Sequence, residues 1–410
     1  MSTEQQTCLI IGASHGGASL ANNVRREGWE GRILVIGNED SMPYHRPPLS
    51  KALLMKEKTP EELEIFKPTV YEKSKIEFML GVNVEKIDRS AKTVELDNGE
   101  TISYHKLGLC TGARVRKLDI PGANLKGVHY LRTLADAQAI QADVKEGGKA
   151  VIVGGGYIGL ETAASLRKLG MEVTVLEMMD RVLERVTAPE LSEYYTELHK
   201  RHGVEIITSA QARALLGEDR VEKVQCNHGL ILDADLVIIG IGVVPNTELA
   251  QAADLAVENG IVVDEFAATE DPDIVAAGDC TYHPNDVLGF KLRLESVPNA
   301  MDQSRAAAAS INGTQKAYHA LPWFWSDQYN IKLQIAGFNR GYERVVLRGE
   351  PSSDNFVAWY MKGNTVLAAD CINSPKEFMQ AKKLIAQKIE VSDEQLADPE
   401  IQVASLIPKA

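Results

Sequence analysis

The chain has 410 residues, 44% apolar and 25% charged, and a formal net charge of -13. That length exceeds one ordinary core and predicts two or three domains. The acidic balance, with a pI of about 5.3, argues against general nucleic-acid or anionic-membrane binding. Five single cysteines (Cys8, Cys110, Cys226, Cys280, Cys371) form no C-x-x-C, so neither a redox dithiol nor a metal site is expected, and each reads as a small buried or half-buried thiol. Met1 to Thr7 is polar and leads into a strand rather than a signal peptide. The longest apolar run, Leu236 to Val244, is far too short to span a bilayer. These features predict a cytoplasmic protein.

Thr7 to Ile11 is an apolar run of strand length. It enters Gly12-Ala13-Ser14-His15-Gly16-Gly17, then a helix to about Arg26 and a strand Ile33 to Ile36, with Glu39 and Asp40 beyond. This is a βαβ unit with a weakened dinucleotide fingerprint, because Ser14 replaces the middle glycine; a small residue there still lets the backbone approach a phosphate. His15 lies in the phosphate turn, which suits a place beside a pyrophosphate better than a catalytic role. Pro43 to Lys51 carries three prolines, which fix φ and remove donors. It predicts a stiff loop, not a central strand. Presenting Arg46 and Lys51 suits an anionic or electron-rich ligand; a plain connector with solvated charges fits the composition equally.

Lys75 to Tyr104 is β-rich, with Asp97-Asn98-Gly99 as a hairpin turn. Leu107 to Cys110 is a buried strand closed by Thr111-Gly112-Ala113. Arg114, Arg116, Lys117 and Pro121-Gly122 read as an exposed crossover and the first domain boundary. Thr133 can cap a helix from about Leu134 to Lys145, with Asp136 in its first turn.

Val151 to Val153 opens the strongest motif. Gly154-Gly155-Gly156-Tyr157-Ile158-Gly159 is G-x-G-x-x-G; a helix to about Leu169, a capping Gly170 and a strand Glu172 to Leu176 follow. Gly154 allows the tight turn, Gly156 lets the backbone approach a pyrophosphate, Gly159 lets helix and strand pack closely, and the helix N-terminus faces the phosphates. Glu177 ends the strand about where a carboxylate takes the adenosine ribose hydroxyls. An amphipathic helix from about Glu190 to Arg201 and strands near Glu205 to Ile207, Arg220 to Cys226 and Leu236 to Ile241 complete an insert with its own parallel sheet. Two βαβ units imply two nucleotides.

Thr269 to Asp279 is a short strand ending in Gly-Asp, which puts Asp279 at the carboxyl end of a sheet strand, where ligands of open α/β sheets bind. Leu321 to Tyr329 holds two tryptophans, Trp323 and Trp325, suited to core packing or a cofactor. Asn330 to Ala336, Val345 to Arg348 and Phe356 to Ala369, with a turn at Lys362 to Asn364, read as antiparallel strands. Ser374-Pro375-Lys376-Glu377 reads as a capping box opening a helix to about Lys388, followed by a polar, mobile tail.

The stretches GASHGG, PYHRPPLSK, LCTGARVR, YLRTLADA, VIVGGGYIGLETAASL, TEDPDIVAAGDC, SVPNAMDQ and PWFWSDQYNIKLQIAG together cover nearly all of the chain. With them it resembles the flavoprotein reductases of oxygenase systems, the putidaredoxin and rubredoxin reductase group related to glutathione reductase. RPPLSK and PWFWSDQY are the specific stretches. The resemblance implies an α/β fold of two Rossmann-like dinucleotide-binding domains, one inserted in the other, plus a C-terminal α+β interface domain. Residues 1–115 and 247–320 would bind FAD, 116–246 NADH, and 321–410 would form the interface domain. By position, Gly12, Ser14, His15, Glu39, Arg46, Lys51, Val84, Arg132, Asp279, Val297 and Trp325 would contact FAD. Gly154, Gly156, Gly159, Glu177, Arg185 and Gly242 would hold NADH. Glu161, otherwise read as a first-turn acid favouring the helix dipole, would pair with Lys51 beside the reacting rings.

The implied reaction is hydride transfer from NADH to the flavin, then return of two single electrons to a [2Fe-2S] ferredoxin or a rubredoxin, and through it to a terminal oxygenase. Lys51 would tune the flavin electrostatically and Asp279 would accept a ribityl hydroxyl. Glu177 favours NADH over NADPH, since it repels a 2′-phosphate; Arg181 nearby argues the other way. A thiol-dependent reductase of this architecture would need a dithiol near the flavin or a cysteine just after the first βαβ unit, and Ser41 to Lys51 contains none, although Cys280 follows Asp279. A redox-sensing NADH-binding flavoprotein is the non-enzymatic alternative. An acidic carrier would dock on a basic face, either Arg340, Arg344 and Arg348 or Arg114, Arg116 and Lys117.

Overall fold

A computed structural model describes residues 6–408. Most of the polar stretch read from Met1 to Thr7, and the last two residues of the tail, lie outside them. The chain divides into two compact units. One takes the chain through His45, then Glu61–Arg114 and Val244–Trp323; the other takes Arg46–Pro60, Val115–Val243 and the chain from Phe324 on.

In the first unit, apolar runs too short to form helices become a parallel sheet in the order Ile274–Ala276, Lys106–Leu109, Thr7–Ile11, Arg32–Gly37, Ile76–Leu80. These strands are apolar at consecutive positions because both sheet faces are covered. Cys8, Ile10, Ile33 and Val35 meet the helices His15–Arg26 and Val297–Ile311. Leu9, Ile11, Leu34 and Ile36 face Ile87, Val94 and Leu96 of an antiparallel meander. Its hairpin turns at Gly99, whose N–H donates to the Leu96 carbonyl at 2.9 Å.

The second unit holds another parallel sheet, ordered Val204–Ile207, Glu172–Leu176, Lys149–Val153, Leu236–Ile239, Val128–His129. The helix Leu134–Asp143 begins with a capping box between Thr133 and Asp136; it stops before Lys145 because Val144 is extended. The strand expected to reach Ile241 ends at Ile239, and the one expected from Arg220 begins at Lys223, paired with an unexpected strand Ala212–Leu216. The same unit carries a C-terminal sheet ordered Trp323–Gln328, Ile331–Gly337, Thr365–Ile372, Phe356–Lys362, Arg344–Arg348.

Four C-terminal expectations need correction. Ser374 precedes the helix Pro375–Ala386 but does not cap it. Its hydroxyl donates instead to the Ile372 carbonyl at 2.8 Å and to Asn355 Oδ1 at 3.2 Å. The helix ends at Ala386, two residues before Lys388, which takes φ +50°. The tail is built into the unit: Ser392 and Gln395 form the capping box of a short helix Asp393–Ala397, and Leu396 and Val403 are buried. Arg348 clamps it, donating to the carbonyls of Leu396 (3.2 Å), Asp398 (2.5 Å), Pro399 (3.2 Å) and Ile401 (2.9 Å). The tryptophan-rich stretch is the strand Trp323–Gln328, on which Trp323 and Trp325 are half-buried, not core. The fully buried tryptophan of this sheet is Trp359.

Candidate functional site

The two nucleotide turns share one geometry. The strands Thr7–Ile11 and Lys149–Val153 end at Gly12 and Gly154, which adopt φ +111° and +115°. A Cβ at Gly12 would lie 2.0 Å from the Cys110 carbonyl oxygen; one at Gly154 would lie 2.4 Å from that of Gly240. Only glycine satisfies both the dihedral and the space. At Gly17 and Gly159 a Cβ would fall 1.8 Å and 2.2 Å from the carbonyl oxygens of Gly12 and Gly154, so each helix packs directly onto its own turn. Gly156 caps the helix Tyr157–Lys168, and no atom lies within 4 Å of where its Cβ would be. At the other turn the extended cap is Ser14. Neither helix has an acid in its first turn. Each N-terminus therefore keeps its positive end for a phosphate. The open space over Gly156 at a helix N-terminus fits a dinucleotide pyrophosphate.

In the first unit, Glu39 follows the strand Arg32–Gly37 and accepts the Tyr44 hydroxyl at 2.5 Å. His15, buried in the first turn of its helix, has Nε2 3.1 Å from His45 Nδ1. Asp279 comes just after the strand Ile274–Ala276 and is half-buried, at the carboxyl ends of the parallel strands. Next to it, the Gly278 N–H donates to Gln303 Oε1 at 2.9 Å. Val84 opens the strand Val84–Asp88, and Val297 opens the helix Val297–Ile311 behind its cap Ser296.

In the second unit, Glu177 is held by two backbone donors, Gly155 N–H to Oε2 at 2.7 Å and Met179 N–H to Oε1 at 2.9 Å. Its carboxylate is thus pre-aimed beside the turn. Arg181 straps its own loop, donating to Thr187 O (2.9 Å), Ser192 Oγ (2.5 Å) and Glu184 O (3.1 Å). Those bonds hold its guanidinium against its own loop. Arg185 is exposed on that loop; Gly242 is exposed at φ +99°.

The Pro43–Lys51 stretch contains a 3-10 turn, Pro47–Ser50, which sets Ser50 and Lys51 side by side. Lys51 Nζ and Ser50 Oγ each donate to Glu161 Oε2 at 2.6 Å, and Ser326 Oγ donates to Oε1 at 2.7 Å. Glu161 is the fifth residue of its helix, hence in the second turn and not the first, and it is 5% exposed. Its role is therefore not helix-dipole compensation but a desolvated ion pair with three donors on two oxygens. Such a pair adds little net stability. Arg46 Nη1 donates to the Arg132 carbonyl at 2.6 Å. The Phe324 ring lies 5.2 Å from Tyr157 and 6.5 Å from Trp325.

Sequence reasoning missed Ser50, Ser326 and Gln328, though all three lie inside the two most specific stretches, and missed His199 behind them. All five cysteines are free and buried. Burial pushes the Cys8 thiol up to about 12 and also raises Cys110, Cys226, Cys280 and Cys371. None has the electropositive, accessible setting of a reactive thiolate. Of the candidate docking cations, Arg344 is bidentate to Asp393 (2.7 and 2.5 Å) and Arg348 clamps the tail. Arg114 pairs with Glu248 at 2.6 Å, and Lys117 lies 3.8 Å over the Tyr130 ring.

Residues 6–304 match the pyridine nucleotide-disulphide oxidoreductase family, and residues 323–407 match the reductase C-terminal region. The chain is 41% identical to the putidaredoxin reductase of Pseudomonas putida over 98% of its length and 97% of that protein. It is also 41% identical to the rhodocoxin reductase of Rhodococcus erythropolis, over 98% of this chain and 94% of that one. The reductase in the crystal structure of a covalent putidaredoxin reductase–putidaredoxin complex superposes with a TM-score of 0.95 at 40% identity, covering 98% of both chains. This chain belongs to the pyridine nucleotide-disulphide oxidoreductase family.

Proposed function

We propose that the chain is an NADH-dependent, FAD-containing reductase that delivers electrons singly to a [2Fe-2S] ferredoxin serving an oxygenase. The observation that carries this reading is the presence of two dinucleotide turns of one geometry in a chain whose thiols are all buried. Two nucleotides without a working dithiol mean that the electrons leave for an acceptor outside the chain. The names of the similar proteins, putidaredoxin reductase and rhodocoxin reductase, support an electron-carrier acceptor.

When bound, FAD supplies the conversion between a hydride and single electrons that no side chain offers. The chain's own residues bind and orient. Gly12, Ser14 and the first turn at His15 receive the FAD pyrophosphate, Glu39 its adenosine ribose, and Asp279 a ribityl hydroxyl. Arg46, Arg132, Val84, Val297 and Trp325 are assigned to the same cofactor. Gly154, Gly156 and Gly159 receive the NADH pyrophosphate, with Arg185 and Gly242 beside it. The fixed Glu177 carboxylate offers its remaining lone pairs to a ribose diol and repels a 2′-phosphate, which favours NADH. Lys51, held by Glu161, supplies positive charge to the reacting rings. Among the described residues no helix is long and apolar enough to cross a membrane, and we place the protein in the cytoplasm.

The test is anaerobic. The purified yellow protein is mixed with NADH, a [2Fe-2S] ferredoxin is added, and the visible spectrum is followed. Flavin bleaching and then rapid ferredoxin reduction is the expected result. Bleaching without transfer would reject the ferredoxin assignment in favour of another acceptor or the redox-sensing alternative. No bleaching would reject the two-nucleotide reading itself.

A further inference from the structure

A buried chain of hydrogen bonds leaves the Lys51–Glu161 pair from Glu161 Oε1. Ser326 Oγ donates to that oxygen at 2.7 Å, and Gln328 Nε2 donates to Ser326 Oγ at 3.2 Å. Gln328 Oε1 lies 2.8 Å from His199 Nε2, and the Tyr329 hydroxyl lies 3.1 Å from His199 Nδ1. Ser326 and His199 are 0% exposed and Gln328 is 2% exposed. The Tyr329 ring closes the chain by stacking on His202, with centroids 3.7 Å apart and planes at 12°.

Every hydrogen in this chain has one direction. An amide oxygen only accepts, so His199 carries its hydrogen on Nε2. Nδ1 is then an acceptor and takes the Tyr329 hydroxyl. Burial pushes the His199 imidazole down to about 4, which keeps the neutral ring this arrangement needs. All donors therefore point toward Glu161, and bonds aligned this way polarise one another in a dry interior. A second observation concerns the far end. Tyr329 takes φ +55° in the turn between Trp323–Gln328 and Ile331–Gly337, a conformation that suits glycine or asparagine and strains a bulky side chain. Such strain persists where the side chain is needed, and here the ring and hydroxyl end the chain.

We propose that Ser326, Gln328 and His199 are positioning residues for the Lys51–Glu161 pair. Ser326 fixes Glu161 through Oε1 while Lys51 and Ser50 occupy Oε2, so the strand that carries Trp325 also governs the aim of the buried carboxylate. Without the Ser326 hydroxyl, Oε1 loses a donor it cannot replace from solvent, and the carboxylate is free to turn away from Lys51. This deepens the proposed function and rests on it only where the pair is said to serve the reaction.

Ser326→Ala removes the donor and Ser326→Thr retains one. With the flavin-loaded full chain, stopped-flow reduction by NADH should show the limiting rate of Ser326→Ala lowered about tenfold or more, the value of one hydrogen bond to a charged group. The apparent Kd for NADH should be unchanged, and Ser326→Thr should restore the rate. Equal rates in all three proteins, or a loss that threonine does not restore, overturns the proposal. The second measurement does not need catalysis: nitrogen-resolved NMR of histidine-labelled protein, with His199 assigned through His199→Gln. His199 should remain the neutral Nε2–H tautomer from about pH 5 to 8, the range in which an ordinary histidine titrates. Its signals should move in both Ser326→Ala and Tyr329→Phe. A protonating ring, the opposite tautomer, or signals indifferent to Ser326→Ala overturns the chain. A wild-type flavin that NADH does not reduce rejects the proposed function instead, and the NMR result still decides the chain.

Discussion

Replacing Asp370 by asparagine should flatten the pH dependence of stability between about pH 4 and 6, the interval over which this one group titrates. Asp370 lies on the strand Thr365–Ile372 and is 1% exposed. Its Oδ2 accepts from Thr187 Oγ1 at 2.7 Å and from the Tyr360 hydroxyl at 2.6 Å, and those two hydroxyls are 2.8 Å apart. The Ala188 N–H also donates to the Tyr360 oxygen at 3.0 Å. Three oxygen–oxygen contacts form this triangle, but the two hydroxyls supply only two hydrogens. The neutral carboxyl, formed at low pH, brings a third hydrogen, with one hydroxyl then turning from Oδ2 to the other hydroxyl. Burial pushes its carboxyl from 3.8 up to about 6, against the opposing pull of the Tyr360 and Thr187 hydroxyls. The folded state thus binds the proton more tightly than the unfolded chain. The resulting stabilisation is fully present below about pH 4 and is lost as pH rises through about 6. Two pKa units correspond to roughly 3 kcal/mol. The assay is urea denaturation at several pH values, followed by tryptophan fluorescence, to which Trp359 contributes from a fully buried place in the adjacent strand opposite Ala369. Groups that titrate identically in both proteins cancel in the difference. The gap between variant and wild type should change by roughly 3 kcal/mol in favour of the variant as pH rises from about 4 to 7. A gap that stays constant over this range would refute the assignment.

Lys51→Ala should keep FAD bound but slow its reduction by NADH; an unchanged limiting rate in stopped flow would remove Lys51 from the chemistry. Glu177→Ala should narrow the preference for NADH over NADPH by about tenfold or more, the loss of a hydrogen bond to a charged group, read as the ratio of kcat/KM values. Iodoacetamide should leave electron transfer to dyes intact in the native protein, because burial holds all five thiols protonated and covered; inactivation by alkylation would revive a thiol mechanism. Arg348→Ala should release the tail it clamps through four carbonyls, and limited proteolysis should then cut after Val391 well before the rest of the chain.

How far the sequence was readable depends on how far apart the interacting residues are. The two nucleotide turns were legible because their constraints close within one strand–turn–helix. Gly17 packs on the carbonyl of Gly12, and Gly159 on that of Gly154. Thr133 and Asp136 form their capping box for the same reason, with partners three positions apart. Ser374 has the same local pattern and fails, because the Ile372 carbonyl and the Asn355 side chain take its hydroxyl first. The tail read as mobile because its composition is polar. Its order comes from Arg348, whose acceptors are carbonyls, and carbonyls carry no sequence signature.

The Lys51–Glu161 pair marks the limit of that local logic. By spacing alone Glu161 was an acid near a helix start. Its partners are 110 positions away at Lys51 and 165 away at Ser326, and the next link joins Gln328 to His199 across 129. Periodicity places each of these residues on a helix, a turn or a strand, but it cannot say that their polar ends converge. Family resemblance supplied Lys51 with Glu161, since both lie in motifs that carry the resemblance. It did not supply His199, which occupies a buried position of an amphipathic helix where a leucine would satisfy the same pattern. What distinguishes it is that a buried imidazole must find two partners, and it finds one on each ring nitrogen. A polar side chain in an apolar phase of a helix is thus the one sequence signal that could have led to this chain. At His199 it leads, through Gln328 and Ser326, to the carboxylate that holds Lys51.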